Sequence, residues 1–314
     1  MRSSTLLKLE FRRGKLIELM GIPLEEKSLE AKVLEEKKVS NLTFKKILYN
    51  SLEDEVKAYV IVPKDYSGAG VVCLHQHGGL FKIGKNQVVG IEGPEDQKYG
   101  LELAERGYVV IAPDAKYFGE RLEKNITGWR GRTEGEESER FGAMKEFLYG
   151  RTLQGIMVWD AMRAVDYLIE YENVDEKRIG AIGHSMGGQW TLYLAAVDTR
   201  IAAAVSSCGF ASHRSLLEHK IIHNFAAYIP GILKYMDVPD VLCLVAPRAF
   251  MIIAGKKDPI FPLEGVVEVY KKARKIYGEM NAEHKLKLSV FNTGHEFNKD
   301  MRNRAYMWLD KWLK

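Results

Sequence analysis

Arg178-Ile179-Gly180-Ala181-Ile182-Gly183-His184-Ser185-Met186-Gly187-Gly188, running on through Gln189 to Val197, is the stretch from which the rest of the chain is read. Arg178 to Ile182 has the short apolar character of a buried strand. Residues 186–197 have the length and apolar content of a helix. Only three residues separate them, so the chain must turn sharply at Ser185. Gly183 and Gly187 flank that serine, and a Cβ at either place would crowd such a turn. A G-x-S-x-G pattern alone is common. Between a strand and a helix it is the setting in which a serine hydroxyl is presented above a sheet as a nucleophile. The plainer alternative is a Gly-rich connection holding an ordinary serine.

A serine hydroxyl is a weak nucleophile, so the reading requires a base and an acid that orients it. In strand–turn–helix sites of this kind these follow in the order acid, then histidine. Asp258 stands just past an apolar run, Ala249 to Ile253, in Ala254-Gly255-Lys256-Lys257-Asp258-Pro259. Asp237 and Asp240 precede that run, and Glu264 falls inside the next helical stretch. His295 follows the last strand-like run, Leu286 to Phe291, in Thr293-Gly294-His295-Glu296, where Gly294 is expected to let the loop turn tightly. It alone among the eight histidines comes after both a strand end and Asp258. His284 precedes that strand. Turn-forming and surface-loop roles are the plainer readings of Asp258 and His295.

Upstream, His75-Gln76-His77-Gly78-Gly79 directly follows the short strand Val71-Val72-Cys73-Leu74. An oxyanion needs two N–H donors. The amide of Met186, next after the serine, is one candidate. The amide of His77, with Gly78 beside it, is the other. Two histidines at i and i+2 without a third ligand at a recognisable spacing make a weak metal signal.

The same alternation of strands and helices extends outward. Helices are expected at 5–20, 95–106, 152–171, 262–277 and 297–313, the third with Val158, Ala161, Met162, Val165 and Leu168 on one stripe. Further strands are expected at 108–112 and 201–205. Three earlier ones, at 31–39, 43–50 and 55–63, form an antiparallel entry to the sheet. Strands separated by helices imply a mostly parallel sheet with helices on both faces. Two stretches break the rhythm, at about 116–150 and 209–240, and are candidates for a cap over the site.

The 314 residues are 46% hydrophobic and 28% charged, with a net charge of +4 from mixed signs. No basic stripe with interleaved aromatics suggests a nucleic-acid partner. Runs such as Glu25-Glu26-Lys27 and Glu35-Glu36-Lys37-Lys38 read as solvated faces. Cys73, Cys208 and Cys243 sit in apolar surroundings and read as buried free thiols. Lys8, Glu10, Arg12 and Arg13 interrupt any apolar leader, and no run is long enough to span a membrane. A cytoplasmic protein with no membrane partner is the expectation, with oligomeric state unknown.

These residues give the chain a resemblance to the α/β-hydrolase superfamily over about residues 55–314. Within it the chain looks like dienelactone-hydrolase-like and acetyl-xylan-esterase-like proteins. The likeness is carried by His75 to Gly79, Pro113-Asp114 with Phe118-Gly119-Glu120-Arg121, Asp160 to Leu168, Val174 to Gly180, Gly183 to Gly188, and Asp258 with His295. The resemblance implies an α/β-hydrolase fold: an N-terminal helix and strand extension over 1–54, then a catalytic domain over 55–314. It also implies a serine esterase acting on a small-molecule ester, with Ser185, Asp258 and His295 as catalytic residues and no cofactor. The chain has Gln76 where such proteins commonly have Gly. It has Ser185 where true dienelactone hydrolases have Cys, which speaks against that specific activity. Residues 1–54 are too few for a propeller. A prolyl-oligopeptidase-type peptidase uses the same module, and Arg121, Arg130, Arg132 and Arg151 could then hold a peptide carboxylate, solvated loop charges being the plainer account. A non-catalytic binding protein of the same fold is a further alternative. Tyr117, Phe118, Trp129, Phe141, Phe210, Phe225 and Tyr228 of the two insertions either line an apolar pocket or pack the cap.

Overall fold

Apolar runs flanked by turns on both sides have nowhere to go but the middle of a sheet covered on two faces. In the computed structural model, which describes residues 2–23, 28–52, 54–127 and 133–314, they do so. The Glu25-Glu26-Lys27 run, Trp129, Arg130 and Arg132 lie outside the described residues. The strands are β1 (Lys32–Val39), β2 (Leu42–Asn50), β3 (Glu55–Pro63), β4 (Gly70–Leu74), β5 (Val109–Pro113), β6 (Ile179–His184), β7 (Ile201–Ser207), β8 (Ala249–Gly255) and β9 (Leu286–Phe291). Among the described residues they form one nine-stranded sheet, ordered β1-β2-β3-β5-β4-β6-β7-β8-β9. From β5 to β9 every neighbouring pair is parallel, and β1, β2 and β3 join antiparallel on the β5 side. This is the α/β-hydrolase architecture.

The nine α-helices among the described residues are α1 (Arg2–Met20), α2 (Tyr99–Glu105), α3 (Glu134–Leu148), α4 (Leu153–Glu170), α5 (Met186–Val197), α6 (His213–Glu218), α7 (Val238–Cys243), α8 (Leu263–Glu279) and α9 (Lys299–Leu313). The sheet divides the core in two. Val72 and Leu74 of β4 and Val109 and Ile111 of β5 point to the side holding α1, α4, α5, α7 and α8. Val71, Cys73, Val110 and Ala112 point to the side holding α2 and α9. The two-residue period of each strand thus feeds two separate cores. On α4, Val158, Ala161, Val165 and Leu168 are buried, and Met162 is half-buried at the stripe's edge. Cys73, Cys208 and Cys243 are buried free thiols. No described helix is long and apolar enough to cross a membrane.

The segment before residue 55 is tied into this body. β2 pairs with β3 along its whole length. Arg13 of α1 donates to the carbonyls of Ala196 and Leu244, each at 2.9 Å, at the ends of α5 and α7.

The stretch 116–150 shows no apolar period in sequence, yet it contains the fifteen-residue α3. Its buried positions, Gly135, Ser138, Glu139, Gly142, Ala143 and Glu146, follow helical spacing. They are small or polar, so a hydrophobicity pattern misses them. Smallness is required: a Cβ at Gly135 would overlap the Phe81 ring, and one at Gly142 the Tyr117 ring. The stretch 209–240 is helical only in pieces: α6, two single 3₁₀ turns and the start of α7.

Candidate active site

The parallel strands deliver their carboxyl ends to one rim, and the predicted residues gather there. Ser185 follows β6 at φ 54°, ψ −123° as the N-cap of α5. Few non-glycine residues hold a positive φ, and this one is fixed by its surroundings. Its N–H donates to the Ser207 carbonyl at 2.8 Å. A Cβ at Gly183 would overlap the backbone of Gly187, and one at Gly187 would overlap the Leu74 carbonyl oxygen. The two glycines therefore let the turn close on itself and seat it against the end of β4.

The His295 Nε2 lies 2.9 Å from the Ser185 Oγ, and its Nδ1 lies 2.8 Å from Asp258 Oδ2. The other Asp258 oxygen accepts the N–H groups of Ile260 (3.0 Å) and Phe261 (3.1 Å). Burial works against the Asp258 charge. The hydrogen bond and charge of His295, with the two amides, outweigh it and hold the carboxyl below its ordinary range. The loops after β8 and β9 are laced together, Lys256 N–H to Phe291 O at 2.7 Å and Lys257 N–H to Thr293 O at 2.9 Å. Gly294 does not act as expected: the nearest atom a Cβ there would meet is Lys257 O, at an ordinary 3.9 Å. The required glycine is Gly255, where a Cβ would overlap the Gly294 carbonyl.

Behind His295 lie two groups that sequence reading did not single out. The His184 ring is 4.9 Å from the His295 ring and nearly parallel to Phe297. Burial, and then the neighbouring His295, push His184 down to about 3, so it stays neutral. Cys208 lies within 4.8 Å of the Asp258 and His295 ligand atoms. Burial, and then the Asp258 charge, push its thiol up to about 12. It therefore remains a protonated thiol packed behind the acid. His184 ends β6, Cys208 follows β7, Asp258 follows β8 and His295 follows β9, so these contacts come from neighbouring strand ends that no local pattern encodes.

Met186 opens α5, so its amide has no acceptor within the helix. The loop after β4 lies beside it, because Gly187 packs on Leu74 and His75. That loop carries His77 and Gly78, with Gly78 at φ 52° and Gly79 at φ 70°. Gln76, where the resemblance gives Gly, lays its side chain along Gly78 and donates to Gln87 Oε1 at 3.2 Å. The two histidine rings are fully engaged by protein. His75 Nε2 accepts the Ala115 N–H at 3.0 Å, and its Nδ1 faces Gln76 O at 2.8 Å. His77 Nδ1 accepts the Gly79 N–H at 3.1 Å, which leaves Nε2 to carry the hydrogen it directs at Glu139 Oε2, 3.2 Å away. Glu139 Oε1 accepts the Phe225 N–H at 3.2 Å. One buried carboxylate of α3 thus joins both insertions to the loop. Its position on a helix without an apolar stripe hid it from sequence reading.

Of the four arginines that a peptidase could use to hold a carboxylate, the two among the described residues are otherwise occupied. Arg121 is buried, donating to Asp160 Oδ2 (2.6 Å), both oxygens of Asp54 (3.0 and 3.1 Å) and Asp114 O (3.0 Å). It is neither a ligand-facing nor a solvated loop charge, because burial keeps it bound to its carboxylates. Arg151 pairs with Glu146 at 2.8 Å. Among the aromatics, Tyr117, Phe118 and Phe210 are buried packing groups, with Phe118 stacked on Phe81 at 5.0 Å. Phe141 is exposed, Phe225 is partly buried, and Tyr228 borders an apolar cavity.

The sequence model of the dienelactone hydrolase family matches residues 56–311. A Bacillus subtilis (strain 168) protein carrying the provisional name of hydrolase YtaP is 30% identical over 308 residues, covering 96% of this chain and 99% of that protein. Among solved structures, a glucuronoyl esterase from Solibacter usitatus superposes with a TM-score of 0.70 at 14% identity, covering 96% of this chain and 92% of that one. Acetyl xylan esterase 1 from Thermoanaerobacterium sp. JW/SL YS485 gives 0.64 at 16% identity, covering 98% and 94%. At such identities the structural likeness speaks for the fold.

Proposed function

Because the chain belongs to the dienelactone hydrolase family, we propose that it is a serine hydrolase cleaving carboxylic esters of small molecules, with short acyl groups, through an acyl-enzyme on Ser185. The observation that carries this reading is the unbroken relay from Ser185 Oγ to His295 Nε2 (2.9 Å) and from His295 Nδ1 to Asp258 (2.8 Å). His295 takes the Ser185 proton as the hydroxyl oxygen bonds to the ester carbonyl carbon. Asp258, kept ionised, holds the imidazole and offsets its positive charge. The amides of Met186 and His77, with Gly78 adjacent, hold the oxyanion. The C–O bond to the alcohol then breaks, and His295 returns its proton to the departing alkoxide. Water adds to the acyl group, giving its proton to His295, and the acid leaves as Ser185 recovers its hydrogen. The two insertions cap this site.

The engagement of Arg121 and Arg151 with carboxylates weighs against the peptidase alternative, which needs a group for the peptide terminus. The decisive experiment is hydrolysis of p-nitrophenyl esters from acetate to decanoate by the protein and by Ser185→Ala. Turnover should fall by about 10⁴-fold or more in the variant, and a fluorophosphonate should label the parent but not Ser185→Ala. A variant that keeps the parent's rate overturns the scheme. A protein whose Ser185 takes no label is a binding module.

A further inference from the structure

An apolar cavity of about 510 Å³ lies between α3 and the second insertion. Phe147 lines it from α3, and Leu216, Ala227, Tyr228 and Ile232 are among its walls on the other side. Beside the exposed Lys234 its polar side chains are His213, His223 and Tyr228, most of whose polar atoms face protein partners. His213 directs Nδ1 at Asp237 (2.9 Å) and Nε2 at Ala227 O (3.1 Å). His223 directs Nε2 at Ile260 O (2.9 Å). A sugar placed here would lose hydrogen bonds to water and find few in exchange, whereas an alkyl or aryl group would be welcome.

No residue of the relay lines the cavity, and two rings separate it from His295. The His223 ring on its wall stacks on Phe261 at 4.4 Å, and Phe261 lies 5.8 Å from the His295 ring. The Phe261 amide also holds Asp258. The oxyanion loop with His77 approaches Ser185 from β4, on the other side of β6 from the β8 and β9 loops. In ester hydrolysis the departing alkoxide takes its proton from the histidine, so the alcohol half of the substrate sits on the His295 side. We infer that this cavity receives the alcohol moiety and that the substrate is a short-acyl ester of an apolar alcohol, in contrast to the carbohydrate esters named in its structural neighbours. The inference rests on the serine-esterase reading above.

The test varies the two halves of the ester separately, with Ser185→Ala as the control throughout. Across ethyl, butyl and hexyl acetates, kcat/KM should rise by about two- to fourfold per methylene. Lengthening the acyl half of ethyl esters should give no such rise, and acetylated xylose should be a poorer substrate than hexyl acetate. Leu217→Lys, at an exposed wall position, and Ala227→Leu, which fills the cavity, should each cut the hexyl-to-ethyl ratio by about tenfold. The ratio is independent of how much of either variant folds. Ser185-dependent hydrolysis that ignores alcohol length, tracks acyl length, favours the sugar ester or leaves that ratio unchanged in both variants overturns the inference while the esterase reading stands. Absence of Ser185-dependent hydrolysis on every ester overturns the esterase reading itself.

Discussion

Two neighbouring residues at the end of β6 divide the work of the turn. Ser185 carries the strained backbone, and His184 fills the space behind the His295 imidazole while staying neutral. That neutrality has a thermodynamic consequence. In the unfolded chain a histidine takes up a proton near pH 6.5. In the fold His184 does not do so until about 3. Between those values the unfolded state binds more protons, so stability falls as pH is lowered through that window. This one group contributes up to about 1.4 kcal/mol per pH unit. Urea midpoints at pH 7 and pH 5 should therefore differ more for the parent than for His184→Asn. An equal acid sensitivity of the two would show that His184 titrates normally.

The elements that hold the site differ in how openly the sequence declares them. β6 and α5 are legible because an apolar strand and an apolar helix leave room only for a tight turn, and the order Ser185, Asp258, His295 fits strand ends in a parallel sheet. α3 is not legible by periodicity, because Gly135, Ser138, Glu139, Gly142 and Ala143 form its buried stripe. The readable signal was at its start, where Thr133 and Glu136 form a capping box. Glu139 on this helix fixes the His77 ring beside the amides proposed to hold the oxyanion. Glu139→Gln keeps the shape and an acceptor for the Phe225 N–H but places an amide donor against His77 Nε2–H. Turnover should fall by about tenfold, a fraction of what losing an oxyanion donor costs, with KM within about twofold. A change confined to KM would assign Glu139 to substrate binding instead.

At the scale of the whole molecule, the first insertion, the sheet and α4 meet at Arg121. Its partners, Asp54 before β3, Asp160 on α4 and the Asp114 carbonyl after β5, come from three separate parts of the chain. Asp160 is fully buried and also receives the Ser51 hydroxyl. Sequence reading took Arg121 for a surface or ligand-binding charge because nothing near it in the chain shows that Asp54 and Asp160 converge there. Replacing only the cation strands a buried carboxylate, so Arg121→Met should cost about 3–5 kcal/mol, read as a lowered denaturant midpoint. A midpoint within error of the parent would show that Asp160 simply takes up a proton. The hydrogen bond between His295 and Ser185, too, is a long-distance product, closing across 110 residues of chain. On a translating ribosome, Ser185 emerges roughly ten seconds before His295 at ordinary synthesis speeds. Until β9 pairs with β8 and brings His295 to Ser185, the proposed nucleophile has no base beside it, so no ester hydrolysis is expected from a nascent chain that lacks β9.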